Sequence, residues 1–131
     1  MRFLIADDDM VSRHMLAGIL QKHGVTAEVV NGVETVQAFK IAKKDGVMYD
    51  AIFLDIMMPE LDGKEAGKQI RDIEKQHKIS PDKEAKIVML TALDDPKNVI
   101  DSYYGSGATS YIVKPITRDK IEKELKKLRL I

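Results

Sequence analysis

Four short apolar runs punctuate the chain: Phe3-Leu4-Ile5-Ala6, Ala51-Ile52-Phe53-Leu54, Ile87-Val88-Met89-Leu90 and Tyr111-Ile112-Val113. Ala27-Glu28-Val29-Val30 is a fifth and weaker one. Each has strand length and lacks the apolar/polar alternation of a half-exposed strand, so each predicts a strand covered on both faces. The segments between them carry helical spacing. In the first, Val11, Met15 and Ile19 with Leu16 and Leu20 predict an apolar stripe, and Gly24 a stop. Further helices are predicted over 33–44, 64–76 and 96–104, the last of these opened by Pro96. A final helix is expected after Thr117 as N-cap, burying Ile121, Leu125 and Leu128. The polar stretch 77–86, with Ser80-Pro81-Asp82, reads as an exposed loop. Strand and helix alternate five times. That order predicts an α/β fold: a doubly wound, five-stranded parallel sheet with helices on both faces and right-handed crossovers.

The polar residues that close these runs carry the chemistry. The first run ends in Asp7-Asp8-Asp9, the third strand in Asp55, the fourth in Thr91-Ala92 and the fifth in Lys114-Pro115. In a parallel sheet all carboxyl ends lie on one edge, where ligands bind. Asp9 is read as a helix N-cap or a solvated loop residue. Asp55 is set between Ile52-Phe53-Leu54 and Ile56-Met57-Met58-Pro59, and a carboxylate in apolar surroundings needs a partner. Gathering it with Asp7 and Asp8 raises the need for a cation, because like charges oppose one another's ionisation. Lys114 and a metal ion are the two candidates. An all-oxygen set of carboxylates with an open side suits Mg²⁺, which keeps several waters and binds phosphate oxygens. A carboxylate is also a competent nucleophile for an acyl phosphate, and phosphoryl transfer chiefly needs positioning and neutralisation of the transferred oxygens.

Composition narrows the partners. Of the 131 residues, 44% are hydrophobic and 32% charged, a balance that supports one sizeable core. The 21 basic and 21 acidic residues cancel, so there is no general pull toward nucleic acid or an anionic membrane. Cysteine is absent, which removes disulfides and thiolate metal sites and fits a reducing compartment. No signal peptide or membrane-length apolar run is found, and a cytoplasmic location is expected. His14, His23 and His77 lack metal-ligand spacing and are expected in structural or surface roles.

Four segments, Phe3 through Asp9, Leu54-Asp55-Ile56-Met57-Met58-Pro59-Glu60-Leu61-Asp62-Gly63, Met89-Leu90-Thr91-Ala92 and Gly107 through Ile116, together resemble bacterial two-component response-regulator receiver domains. The stand-alone chemotaxis type is the most similar. The resemblance implies a flavodoxin-like (βα)5 domain over 1–131 with strand order 2-1-3-4-5. It implies Asp55 as phosphoacceptor, and Asp7, Asp8, Asp55 and the Met57 backbone carbonyl as ligands of Mg²⁺. It implies Thr91 and Lys114 on the phosphoryl oxygens, and a cis Lys114–Pro115 peptide, cheap only before proline. Gly63 would let the loop after Asp55 turn into its helix, and Tyr111 would be a switch aromatic acting with Thr91. Tyr103 and Tyr104 would pack or meet partners. Met57 and Leu93 are apolar where members often carry polar groups, which implies slow loss of the phosphate.

The expected partners are a sensor histidine kinase or phosphotransfer protein, and a downstream protein that reads the face of the fourth helix, fifth strand and fifth helix. Such a domain would catalyse only its own phosphorylation and dephosphorylation. With the chain ending soon after the fifth helix, output by contact with another protein is expected. A phosphate sink, a phosphorelay receiver and a non-phosphorylated scaffold stay open. An aspartyl-phosphate hydrolase would want an acid at Met57, and a flavin phosphate would be repelled by Asp7-Asp8-Asp9. The basic run over 118–129, broken by Glu122 and Glu124, reads as a solvated helix face or part of the output surface.

Overall fold

A computed structural model describes residues 1–92 and 105–131. The predicted helix 96–104, with Tyr103 and Tyr104, and Leu93 lie outside the described residues. The elements run β1 (Arg2–Ala6), α1 (Met10–Leu20), β2 (Val25–Val29), α2 (Gly32–Lys44), β3 (Ala51–Asp55), α3 (Gly63–Gln76), β4 (Lys86–Thr91), β5 (Ser110–Val113) and a C-terminal helix (Arg118–Lys127). The five strands are parallel, in the order β2-β1-β3-β4-β5. The stretch before β4 holds one 3-10 turn, Pro81–Lys83.

Side chains alternate across each strand, so the apolar runs feed two cores. Phe3, Ile5, Phe53, Val88, Leu90 and Ile112 face α1 and the C-terminal helix, packing on Leu16, Leu20, Ile121 and Leu125. Leu4, Ala6, Ile52, Leu54, Ile87 and Met89 face α2 and α3, packing on Val36, Phe39, Ala66, Ile70 and Ile73. Burying such a side chain contributes about 1.5–3 kcal/mol, which is why unalternating runs become inner strands. β2 is an edge strand and only partly buried, and its mixed sequence reflects that.

The α1 stripe differs from expectation. Leu16, Ala17, Ile19 and Leu20 are buried, whereas Val11 and Met15 are 63% and 47% exposed. Ala17 lies in the core with Leu16, Ile19 and Leu20, so the buried face of the helix is centred on that side, away from Val11 and Met15. Leu128 falls at the C-cap of the last helix and is half-buried, with Leu130 buried just beyond it. The helix starts are local. Asp9, Asn31, Asp62 and Thr117 each accept a main-chain N–H of the first turn, satisfying donors that a helix leaves open.

Candidate functional site

Parallel pairing brings the ends of β1, β3, β4 and β5 to one edge. Ala6 pairs with Leu54, Asp55 with Leu90, and Thr91 with Val113. Asp7, Asp55, Thr91 and Lys114 therefore follow or close neighbouring strands. Asp7 is fully buried and Asp55 nearly so, while Asp8 is exposed at the mouth. Carboxylate oxygens of the three lie within 4.8 Å of one another.

Each carboxylate is held differently. Asp7 Oδ1 accepts the Asp9 N–H at 2.9 Å, and the Asp7 N–H reaches the Val29 carbonyl at 3.2 Å. Arg13 donates to the Asp7 carbonyl at 2.9 Å and pairs with Glu28 at 3.2 Å. It thus grips the main chain of Asp7 rather than its carboxylate. Lys114 Nζ lies 3.0 Å from Asp7 Oδ2 and 3.6 Å from Asp55 Oδ2. The shorter contact is an ion pair without hydrogen-bond alignment, so buried Asp7 Oδ2 has no hydrogen-bond donor. Asp55 Oδ1 accepts a long contact, 3.4 Å, from the Met57 N–H.

Among the described residues, Lys114 is the cation in contact with two of these three carboxylates, Asp7 and Asp55. Burial, with the neighbouring Asp7 charge, pushes the Asp55 carboxyl up to about 7, against the pull of Lys114. Burial pulls Lys114 down, but Asp7 and Asp55 outweigh it and its ammonium is held above its ordinary value. Asp9, which the Ser12 hydroxyl and the Val11 N–H hold below the usual carboxylate range, serves α1 as its cap. The donor set is hard oxygen, clustered, partly buried and under-neutralised, and open at Asp8. It fits a small divalent cation.

Thr91 is buried, its hydroxyl 3.3 Å from the Ala92 carbonyl. The Lys114–Pro115 peptide is cis. Gly63 opens α3 directly beneath Asp55: a Cβ there would run into the Asp55 carbonyl, and the Gly63 N–H donates to the Ile56 carbonyl at 2.9 Å. The loop needs glycine for this close approach rather than for an unusual φ. Met57 is 68% exposed beside the site, and Tyr111 stands half-exposed on β5.

This architecture has close relatives. The family model described as "Response regulator receiver domain" matches residues 3–126. The chain belongs to the response-regulator receiver domain family. It is 36% identical to the chemotaxis protein CheY of Bacillus subtilis over 96% of this chain and 95% of that one. Identity to CheY of Thermotoga maritima is also 36%, over 97% and 96%. Among solved structures, CheY4 of Vibrio cholerae superposes with a TM-score of 0.78 at 27% identity, covering 97% of each chain. The receiver domain of the Saccharomyces cerevisiae response regulator Ssk1, crystallised with the histidine phosphotransfer signaling protein Ypd1, gives 0.78 at 32% identity over 98% of this chain and 88% of that one. The protein is thus a receiver domain of two-component signalling with an acidic pocket, a signalling module rather than a classical enzyme. No helix among the described residues is long and apolar enough to cross a membrane.

Two groups around the pocket escaped the sequence reading. Arg13 shows no signal beyond being a cation in an amphipathic helix. Lys120, placed by its spacing on a solvated face, turns back to the main chain beside Lys114.

Proposed function

We propose that Asp55 accepts a phosphoryl group from a phosphohistidine on a sensor kinase or phosphotransfer protein. The observation that supports this most is the under-neutralised cluster itself: a buried nucleophilic carboxylate beside Asp7 and Asp8, with one ammonium between them. Asp7, Asp8 and Asp55, with the Met57 carbonyl, would hold Mg²⁺. When bound, that ion supplies positive charge against the carboxylates and the phosphoryl oxygens. An Asp55 oxygen attacks phosphorus, the phosphorus–nitrogen bond breaks, and the imidazole leaves with the electron pair. Lys114, already between Asp7 and Asp55, takes one phosphoryl oxygen and holds its charge. The Thr91 hydroxyl, whose contact to the Ala92 carbonyl is long at 3.3 Å, turns to donate to another.

The transferred group makes a new contact in only one arrangement of Thr91, so it biases the fold toward that arrangement. Tyr111, exposed on the strand beside Thr91, is the side chain whose inward rotation would report it. A downstream protein then reads β5 and the C-terminal helix. The test is intact mass after incubation with acetyl phosphate. One added phosphoryl group is expected, dependent on Mg²⁺ and absent in Asp55→Asn. Wild type that stays unlabelled within seconds and also fails to bind beryllofluoride would refute the reading.

A further inference from the structure

Lys114 must reach two carboxylates from a short segment between β5 and the C-terminal helix. That segment is gripped from behind. Lys120, in the first turn of the helix, donates from Nζ to the Val113 carbonyl at 2.9 Å and to the Pro115 carbonyl at 3.0 Å. The two acceptors lie on either side of Lys114. On the other flank, the Lys114 N–H donates to the Thr91 carbonyl at 2.7 Å. The helix start that carries Lys120 is itself fixed, because the Thr117 hydroxyl accepts the Lys120 N–H at 3.2 Å. A charged donor shared by two carbonyls is among the stronger polar contacts. Here both carbonyls belong to the main chain that carries Lys114.

We infer that Lys120 is a positioning residue for Lys114: its ammonium holds the Val113–Pro115 main chain so that the Lys114 ammonium lies between Asp7 and Asp55. The inference rests on the phosphoacceptor reading of Asp55. It makes the C-terminal helix part of the site's support, since a shift of its first turn moves Lys114. Small displacements of positioning groups cost up to on the order of a hundredfold in rate, and losing one of two flanking anchors is expected to cost about tenfold.

The experiment is a double-mutant cycle on the phosphorylation rate, read by intact mass with acetyl phosphate and Mg²⁺. Lys120→Met should slow labelling about tenfold, Lys114→Ala more, and the double variant no more than Lys114→Ala alone, because coupled residues do not add. Lys120→Arg, which keeps a cation within reach, should recover most of the rate. Losses that multiply in the double variant, or an unchanged rate in Lys120→Met, would overturn the inference. Hydrogen exchange at the Lys114 amide needs no phosphoryl transfer. It should quicken in Lys120→Met while the β3 amides stay protected; equal exchange overturns the inference even where no labelling occurs. Wild type that never labels while the Lys114 amide responds would instead count against Asp55 as phosphoacceptor and support the role of Lys120.

Discussion

Replacing Asp55 with asparagine removes a charge that the fold holds unfavourably. The carboxyl, ordinarily at 3.8, is pushed up to about 7 by burial and by Asp7. Because its folded value lies above its unfolded value, the folded state binds the proton more tightly. The stability this contributes is complete below pH 4 and is lost as pH rises toward and through 7. Fully expressed, such a displacement corresponds to roughly 4 kcal/mol of lost stability in the charged form. Water at the Asp8 mouth and movement of Lys114 will screen part of it, so about 2 kcal/mol is expected. Asparagine keeps the shape and never charges. In urea melts with a chelator present, the stability of Asp55→Asn minus that of wild type should therefore grow by about 1 kcal/mol between pH 5 and pH 8, the rest of the loss falling below pH 5. Using the change across pH cancels any fixed difference between amide and acid. Adding Mg²⁺ at pH 8 should narrow the gap by stabilising wild type alone. Two stability curves that run parallel from pH 5 to 8 would refute the claim that Asp55 is strained by its neighbours.

Arg71→Met should cost about 3–5 kcal/mol in urea melts, because it strands the buried Glu74 carboxylate; a loss below 1 kcal/mol would show that water or another cation takes its place. Gly63→Ala should destabilise by about 1–3 kcal/mol, as a methyl group forces the Asp55 carbonyl aside. The same variant should weaken Mg²⁺ binding measured by calorimetry, and an unchanged affinity would mean that the loop absorbs the clash away from Asp55.

The inner strands were legible because β1, β3 and β4 are covered on both faces, and continuous apolar runs have few other uses. The carboxyl-edge residues were legible through the parallel topology, which turns scattered strand ends into neighbours. The α1 stripe was legible in Leu16, Ile19 and Leu20, which are buried, but Val11 and Met15 are exposed, because spacing alone cannot tell which edge of a broad apolar row meets the sheet. The Arg71–Glu74 pair, three residues apart on α3, carries nothing in its spacing to separate it from an exposed helical ion pair. Its other partners lie far along the chain, main-chain groups at Ala85 and Gly107 and the side chains of Glu84 and Thr109, and composition carries no trace of them. Lys120 was hidden for the same reason, since its acceptors are carbonyls.

The Arg71 network also has a mechanical meaning. Glu74 accepts the Ala85 N–H at 2.8 Å, Arg71 donates to the Ala85 carbonyl at 2.8 Å, and the Thr109 hydroxyl accepts the Ile87 N–H at 3.1 Å. All three contacts grip β4 at or just before its beginning, and two of them tie it to α3. Its other end is Thr91, at the acidic edge. The strand is thus anchored at its root to α3 and paired with β3 and β5 along its length. If the proposed phosphoryl group pulls on Thr91, the displacement is expected to be largest at that end and to fade toward the anchored root.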